Sequence, residues 1–81
     1  MNQQTIAKQL VELIKEIKNF ENVSLKDDLF LDLSFDSLNF LDYLVLIENK
    51  YNITINESDL DLDNLNSIDK ISKVILKYVG E

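Results

Sequence analysis

"LDLSFDSLNFLDYL", residues 31–44, sets a short polar turn directly before a run of large apolar side chains. Ser37 stands at the junction, with Asp36 just before it. An aspartate there is a good helix N-cap, because its carboxylate can accept from a backbone N–H that the first turn leaves unpaired. A helix is therefore expected to start at Ser37. It continues through Leu38, Leu41, Leu44, Val45, Ile47 and Tyr51, and "NIT" at residues 52–54 ends it. Phe40, Tyr43 and Leu46 make it apolar on nearly every side, the mark of a helix that is central or shared with another molecule. The serine itself has three readings: an extra first-turn residue, a nucleophile, or an attachment point.

Outward from this stretch, three more helices can be read. Ile6, Leu10, Leu13, Ile14 and Ile17 recur at the three- and four-residue spacing of one helix face, which predicts a helix over about 4–19. Glu12 stands three residues before Lys15, a helical distance, and Glu16 two before Lys18. "INESDLDLDNL", residues 55–65, reads as a short third helix. The last helix begins near Ser67, a good cap, with Ile68, Ile71, Ile75 and Tyr78 on one stripe and Val74 beside it. Lys70, Lys73 and Lys77 line another face. Residues 20–36 form a long connection that Phe20, Val23, Leu25, Leu29, Phe30, Leu31 and Leu33 can pin to a core. The expected fold is all-α: a four-helix bundle with three longer helices and one short third helix, in a single domain spanning 1–81.

Composition agrees. Of 81 residues, 46% are hydrophobic; there is no proline, and the single glycine is Gly80. Nothing inside the chain breaks a helix, and few sites suit tight hairpins. With no cysteine there is no disulfide framework, thiolate metal site or thiol nucleophile. No apolar run approaches the roughly 18 residues of a membrane span. The N-terminal segment lacks the pattern of a signal peptide. These features lead to the expectation of a cytoplasmic, monomeric protein that binds neither membrane nor nucleic acid.

The net charge is −7, and it is unevenly placed. Residues 21–69 hold twelve acids and two lysines, while both ends are slightly basic. The acidic stretch surrounds Ser37, and such a surface steers basic partner surfaces toward itself.

Chemistry of the chain's own is hard to assemble. A serine nucleophile needs a general base, usually histidine, and the chain has none. No glycine-rich loop exists to cradle a phosphate. Asp59, Asp61 and Asp63 have the opening spacing of a calcium loop, but Asn64 replaces its glycine and Lys70 stands where its bidentate glutamate should be. The expectation is no enzyme and no metal site. At the positive end of a helix, though, Ser37 suits a covalently attached phosphodiester.

"DLSFDSLNFLDYLVLIENKYNITI", residues 32–55, resembles the attachment segment of the acyl carrier protein family. The matching residues are Asp32, Leu33, Asp36, Ser37 and Leu38, then Tyr51, Ile53 and Ile55. "NSIDKISKVI", residues 66–75, is similar to the family's last helix, so the resemblance covers almost the whole chain. It implies that Ser37 carries 4'-phosphopantetheine, transferred from coenzyme A by a phosphopantetheinyl transferase that uses Mg²⁺. The arm's thiol would hold acyl or aminoacyl groups as thioesters. Partners would be that transferase, a loading ligase, and synthases and transferases with basic docking surfaces. By position, Asp36, Leu38, Leu41, Asp42, Val45 and Glu48 would contact them.

The chain departs from the family pattern at a few places, and the one at Ser34 is expected by itself to leave attachment intact. Ser34 replaces the usual glycine before the D-S-L core. Asn39 replaces the acid after Leu38, and Phe40 and Tyr43 are expected to add aromatic surface. The acid-poor second helix, with a segment between Ile55 and Ser67 a little longer than in carriers of general fatty-acid synthesis, leans toward a dedicated polyketide- or nonribosomal-peptide-like pathway. The alternatives are a carrier of general fatty-acid synthesis and a non-covalent helical interaction module.

Overall fold

The computed structural model describes residues 2–18 and 22–79. Its elements are α1 (Gln3–Ile17), α2 (Ser37–Tyr51), a 3-10 turn (Glu57–Asp59), α3 (Leu62–Leu65) and α4 (Ile68–Val79). The described residues are helical with no strand, the all-α bundle that the spacing of apolar residues predicts. α1 is the central element: α2 and α4 both pack against it, and α3 packs on α4.

Each long helix starts where a polar side chain meets an unpaired N–H. Asn2 accepts from the Thr5 amide at 2.9 Å. The Ser67 hydroxyl accepts from the Lys70 amide at 3.2 Å, which bears out Ser67 as a cap. α1 runs from Gln3, one residue earlier than the spacing suggests, and closes at Ile17 with Lys18 as C-cap. Asn19 and Phe20, expected in the helix end and the connection, lie outside the described residues.

The core forms from one face of each helix. α1 contributes Ile6, Ala7, Leu10, Leu13 and Ile14; α4 contributes Ile68, Ile71, Val74 and Ile75. α2 buries Phe40, Tyr43, Leu44 and Ile47. The two aromatics are therefore core residues and not added surface. The reason is helical phase: they fall on the stripe of Leu44 and Ile47, and each ring finds an aromatic partner. Phe40 lies 5.3 Å from Phe30 between ring centroids, and Tyr43 meets Phe35 edge-on at 5.8 Å. Tyr43 is fully buried, so its hydroxyl needs a partner, and it donates to the Leu10 carbonyl at 2.8 Å. Burial, helped by nearby Tyr51, pushes the Tyr43 hydroxyl far above the ordinary tyrosine range. Tyr51 is half-buried and donates to Gln9 at 2.6 Å.

The connection before α2 is stitched down by its own acids. Asp28 accepts from the amides of Phe30 and Leu31, and Asp32 accepts from the Asp28 amide. The Asp32 and Leu33 amides return to the Asp28 carbonyl, which makes one helix-like turn. That turn places Leu29 and Leu33, four residues apart, inward, and throws Leu31 outward at 84% exposure. Leu31 is thus no pin, nor is Leu25, which is also exposed. Phe35, absent from the expected set, is buried. The Leu29 amide donates to the Asn66 carbonyl, and the Asp69 amide to Leu25, so the connection is tied to the start of α4.

The expected third helix is broken into the 3-10 turn and the single turn α3. Asp61 divides them because its side chain caps α3, accepting from the Asp63 amide at 3.0 Å. The 3-10 turn is clasped by α4: Tyr78 donates to Asp59 at 2.6 Å and accepts from the Asn56 amide, and Lys77 also reaches Asp59. The Tyr78 hydrogen bond, with the Lys77 charge, holds the Asp59 carboxyl below its ordinary range.

Two outcomes test this packing. Tyr43→Phe keeps the ring and loses only the hydroxyl bond, so stability should fall by about 1 kcal/mol and the melting temperature by about 4–8 °C. Asp59, whose carboxyl is depressed in the folded chain, stabilises above the unfolded carboxyl pKa and loses that contribution as pH falls through its lower folded value. Tyr78→Phe should therefore move the Asp59 titration upward in a carboxyl NMR titration, and the stability gap between the two proteins should narrow in acid.

Candidate functional site

The site is built by the turn into α2. Asp36 is extended (φ −104°, ψ −178°) and is the N-cap. Its Oδ1 accepts from the Asn39 amide at 2.8 Å, and the Asn39 side chain accepts from the Asp36 amide at 3.2 Å. This reciprocal pair is a capping box with asparagine in the place of the usual glutamate or glutamine. Asn39 in place of an acid is thereby explained: it closes the box. The sequence pattern for a box was present, but asparagine at its third position is an unusual member.

The cap commits the Asp36 carboxylate to Asn39, so Ser37 is free of that duty. Ser37 is the first residue of α2 and is exposed. The amides of Ser37 and Leu38 precede any helical partner. Unpaired N–H groups and the dipole together favour negative charge at this point.

The turn before the cap is strained. Ser34, at the position of the usual glycine, has φ 58°. The left-handed region costs a residue with a β-carbon roughly 1–2 kcal/mol. Asn52, which ends α2, has φ 55°, but asparagine tolerates that region. The Ser34 carbonyl accepts from Lys18 Nζ at 2.7 Å. The sequence shows Lys18 only as part of the charge pattern of α1, with no sign of a role in this turn. Contact across sixteen residues leaves no local trace.

The remaining residues named from the resemblance fall as follows. Leu38, Leu41 and Val45 form one stripe on the outer face of α2, at 66%, 58% and 53% exposure. Asp42 is exposed beside them. Glu48 is half-buried, and its carboxylate accepts from the Ile55 amide at 3.0 Å, which braces the segment after α2. Of the acids within α2, Asp42 is thus the one turned fully to solvent.

Concavities lie elsewhere. An open, mainly apolar groove of about 550 Å³ is lined by Ala7, Lys8, Val11 and Leu25. A second, of about 420 Å³, lies among Asp59, Asp63, Lys70 and Lys77. Among the described residues neither is lined by Ser37. Nor is any group of three or more His, Cys, Asp or Glu among them placed to hold a metal. None of their helices is long and apolar enough to cross a membrane.

A phosphodiester on Ser37 fits these residues. Ser37 is exposed, the amides of Ser37 and Leu38 precede any helical partner, and the capping carboxylate is held by Asn39. The family model for the phosphopantetheine attachment site matches residues 8–75. The chain belongs to that family. It is a phosphopantetheine-dependent carrier protein, and members of this family are non-catalytic. Its cofactor is covalently attached 4'-phosphopantetheine, and carriers of this kind interact with phosphopantetheinyl transferases and synthase enzymes. No curated protein matches the chain significantly.

If Ser34 is held against its preference, glycine should relieve the carrier. Ser34→Gly should raise stability by about 0.5–1 kcal/mol in urea unfolding, the left-handed penalty less glycine's greater freedom in the unfolded chain.

Proposed function

We propose that this carrier holds its 4'-phosphopantetheine on Ser37 and presents it to partner enzymes along α2. The observation that carries this is exposed Ser37 at the first turn of α2, inside the matched family segment. The bound arm supplies a thiol that holds acyl or aminoacyl groups as thioesters. The chain's own residues do the rest. Asp36 and Asn39 fix the start of α2, so the serine that carries the arm stands at the helix's positive end.

The partner face comprises Asp36, Leu38, Leu41, Asp42, Val45 and Glu48. The leucines and Val45 offer apolar area directly beside Ser37, and Asp42 offers a charge to a basic rim. Glu48 supports that face from behind through Ile55. This face is poor in exposed acid, and that supports service in a dedicated pathway of polyketide- or nonribosomal-peptide-like chemistry, in place of general fatty-acid synthesis. Loading by an acyl or aminoacyl ligase and unloading by synthases and transferases follow from that role.

Two measurements test the reading. With coenzyme A, Mg²⁺ and a broad-range transferase, intact-mass analysis should show one phosphopantetheine added to the wild type and none to Ser37→Ala, with both keeping the same helical circular dichroism. Mass gained by Ser37→Ala would place the arm elsewhere. Leu41→Ala, which removes exposed apolar area without touching the core, should raise the transferase KM about tenfold, equivalent to about 1.4 kcal/mol. An unchanged KM would remove α2 from the docking face.

A further inference from the structure

The turn before Ser37 needs a left-handed residue, and the chain supplies serine at φ 58°. Glycine would adopt this conformation without a clash; serine meets one between its β-carbon and the following carbonyl. A residue in such a conformation persists only where its surroundings over-determine it. Two contacts do so here. On the downstream side, the Phe35 amide donates to the Leu29 carbonyl at 2.9 Å, and the Phe35 ring is buried against Tyr43. At Ser34 itself, the carbonyl accepts from Lys18 Nζ at 2.7 Å.

The second contact is selective. Rotating Ser34 out of the left-handed region swings its carbonyl, so the bond to the lysine is available to the strained state and lost in the relaxed one. A charged donor also makes the stronger class of hydrogen bond. Lys18 is well placed to make it, as the C-cap of α1, fixed by its own amide donating to the Ile14 carbonyl at 3.0 Å. The central helix of the bundle is thus tied to the turn three residues before Ser37.

We infer that Lys18 is a positioning residue for loading of the carrier: its bond to the Ser34 carbonyl holds the left-handed turn that presents Ser37 to the transferase. The inference rests on Ser37 being the attachment residue. A transferase that accepts only the presenting conformer sees an affinity scaled by the fraction of carrier in that conformer. Losing the lysine bond therefore raises KM and leaves kcat unchanged, because the bound carrier already has its turn in place.

The test uses the full chain with coenzyme A, Mg²⁺ and a broad-range transferase, with loading rates read by intact mass. Lys18→Gln should raise KM about two- to threefold at unchanged kcat and unchanged circular dichroism, because one exposed charge-assisted bond lowers the fraction of an already dominant conformer by no more than that. Lys18→Arg, which keeps a charged donor, should keep the wild-type KM. In the Ser34→Gly background, where no strain needs holding, Lys18→Gln should leave KM at the value of Ser34→Gly alone. Wild-type KM in Lys18→Gln would overturn the inference. A loss of the same size that persists beside Ser34→Gly would overturn it too, since it would make Lys18 a direct transferase contact. A wild type that gains mass on a residue other than Ser37, or gains none, defeats the attachment reading and this inference with it; a wild type loaded at Ser37 leaves the Lys18 variants to decide the inference alone.

Discussion

The bond from the Asn39 amide to the Asp36 carboxylate fixes where α2 begins, and the rest of the molecule is arranged around that beginning. Because the cap is Asp36, the first helical residue is Ser37, and its oxygen stands among amides that have no carbonyl to meet. Because α2 runs on from there, its phase sends Phe40, Tyr43, Leu44 and Ile47 into the bundle and Leu38, Leu41 and Val45 out of it. One capped turn therefore sets both the place of Ser37 at the helix start and the surface next to it.

That turn is held from two directions. Tyr43 reaches across to the Leu10 carbonyl and anchors α2 on α1 through the interior. The connection before α2 lies on the same core through Leu29, Leu33 and Phe35, and is bonded to the start of α4 at Asn66 and Asp69. A long segment with neither proline nor glycine would be costly to order by itself. Here apolar anchors and the aspartate-capped turn at Asp28 offset that cost. The strain at Ser34 is tolerated because its neighbours on both sides are committed elsewhere.

Much of this was legible in the sequence, for reasons that are physical. The periodic residues of α1 and α4 and the caps Asp36 and Ser67 act locally, so spacing alone reveals them. Phe40 and Tyr43 were misjudged because α2 is apolar on both faces, and only packing decides which face turns inward. Leu31 was misjudged because the Asp28 turn gives the connection a helical phase that its composition does not advertise. The third helix was overextended because Asp61 serves as a cap inside an otherwise continuous pattern. Ser37 could be singled out from its motif, whereas the Lys18 bond and the Glu48 brace join segments distant in the chain and leave no pattern to read.

The outward stripe of Leu38, Leu41 and Val45 would invite carriers to stick to one another if nothing kept them apart. The surplus of negative charge provides that repulsion at neutral pH. The composition sets net charge to zero at about pH 4.4, where the repulsion vanishes while the leucines stay exposed, so colloidal solubility should be lowest near there. The acidity that surrounds Ser37 is thus also what lets the molecule leave a greasy surface open to water without precipitating.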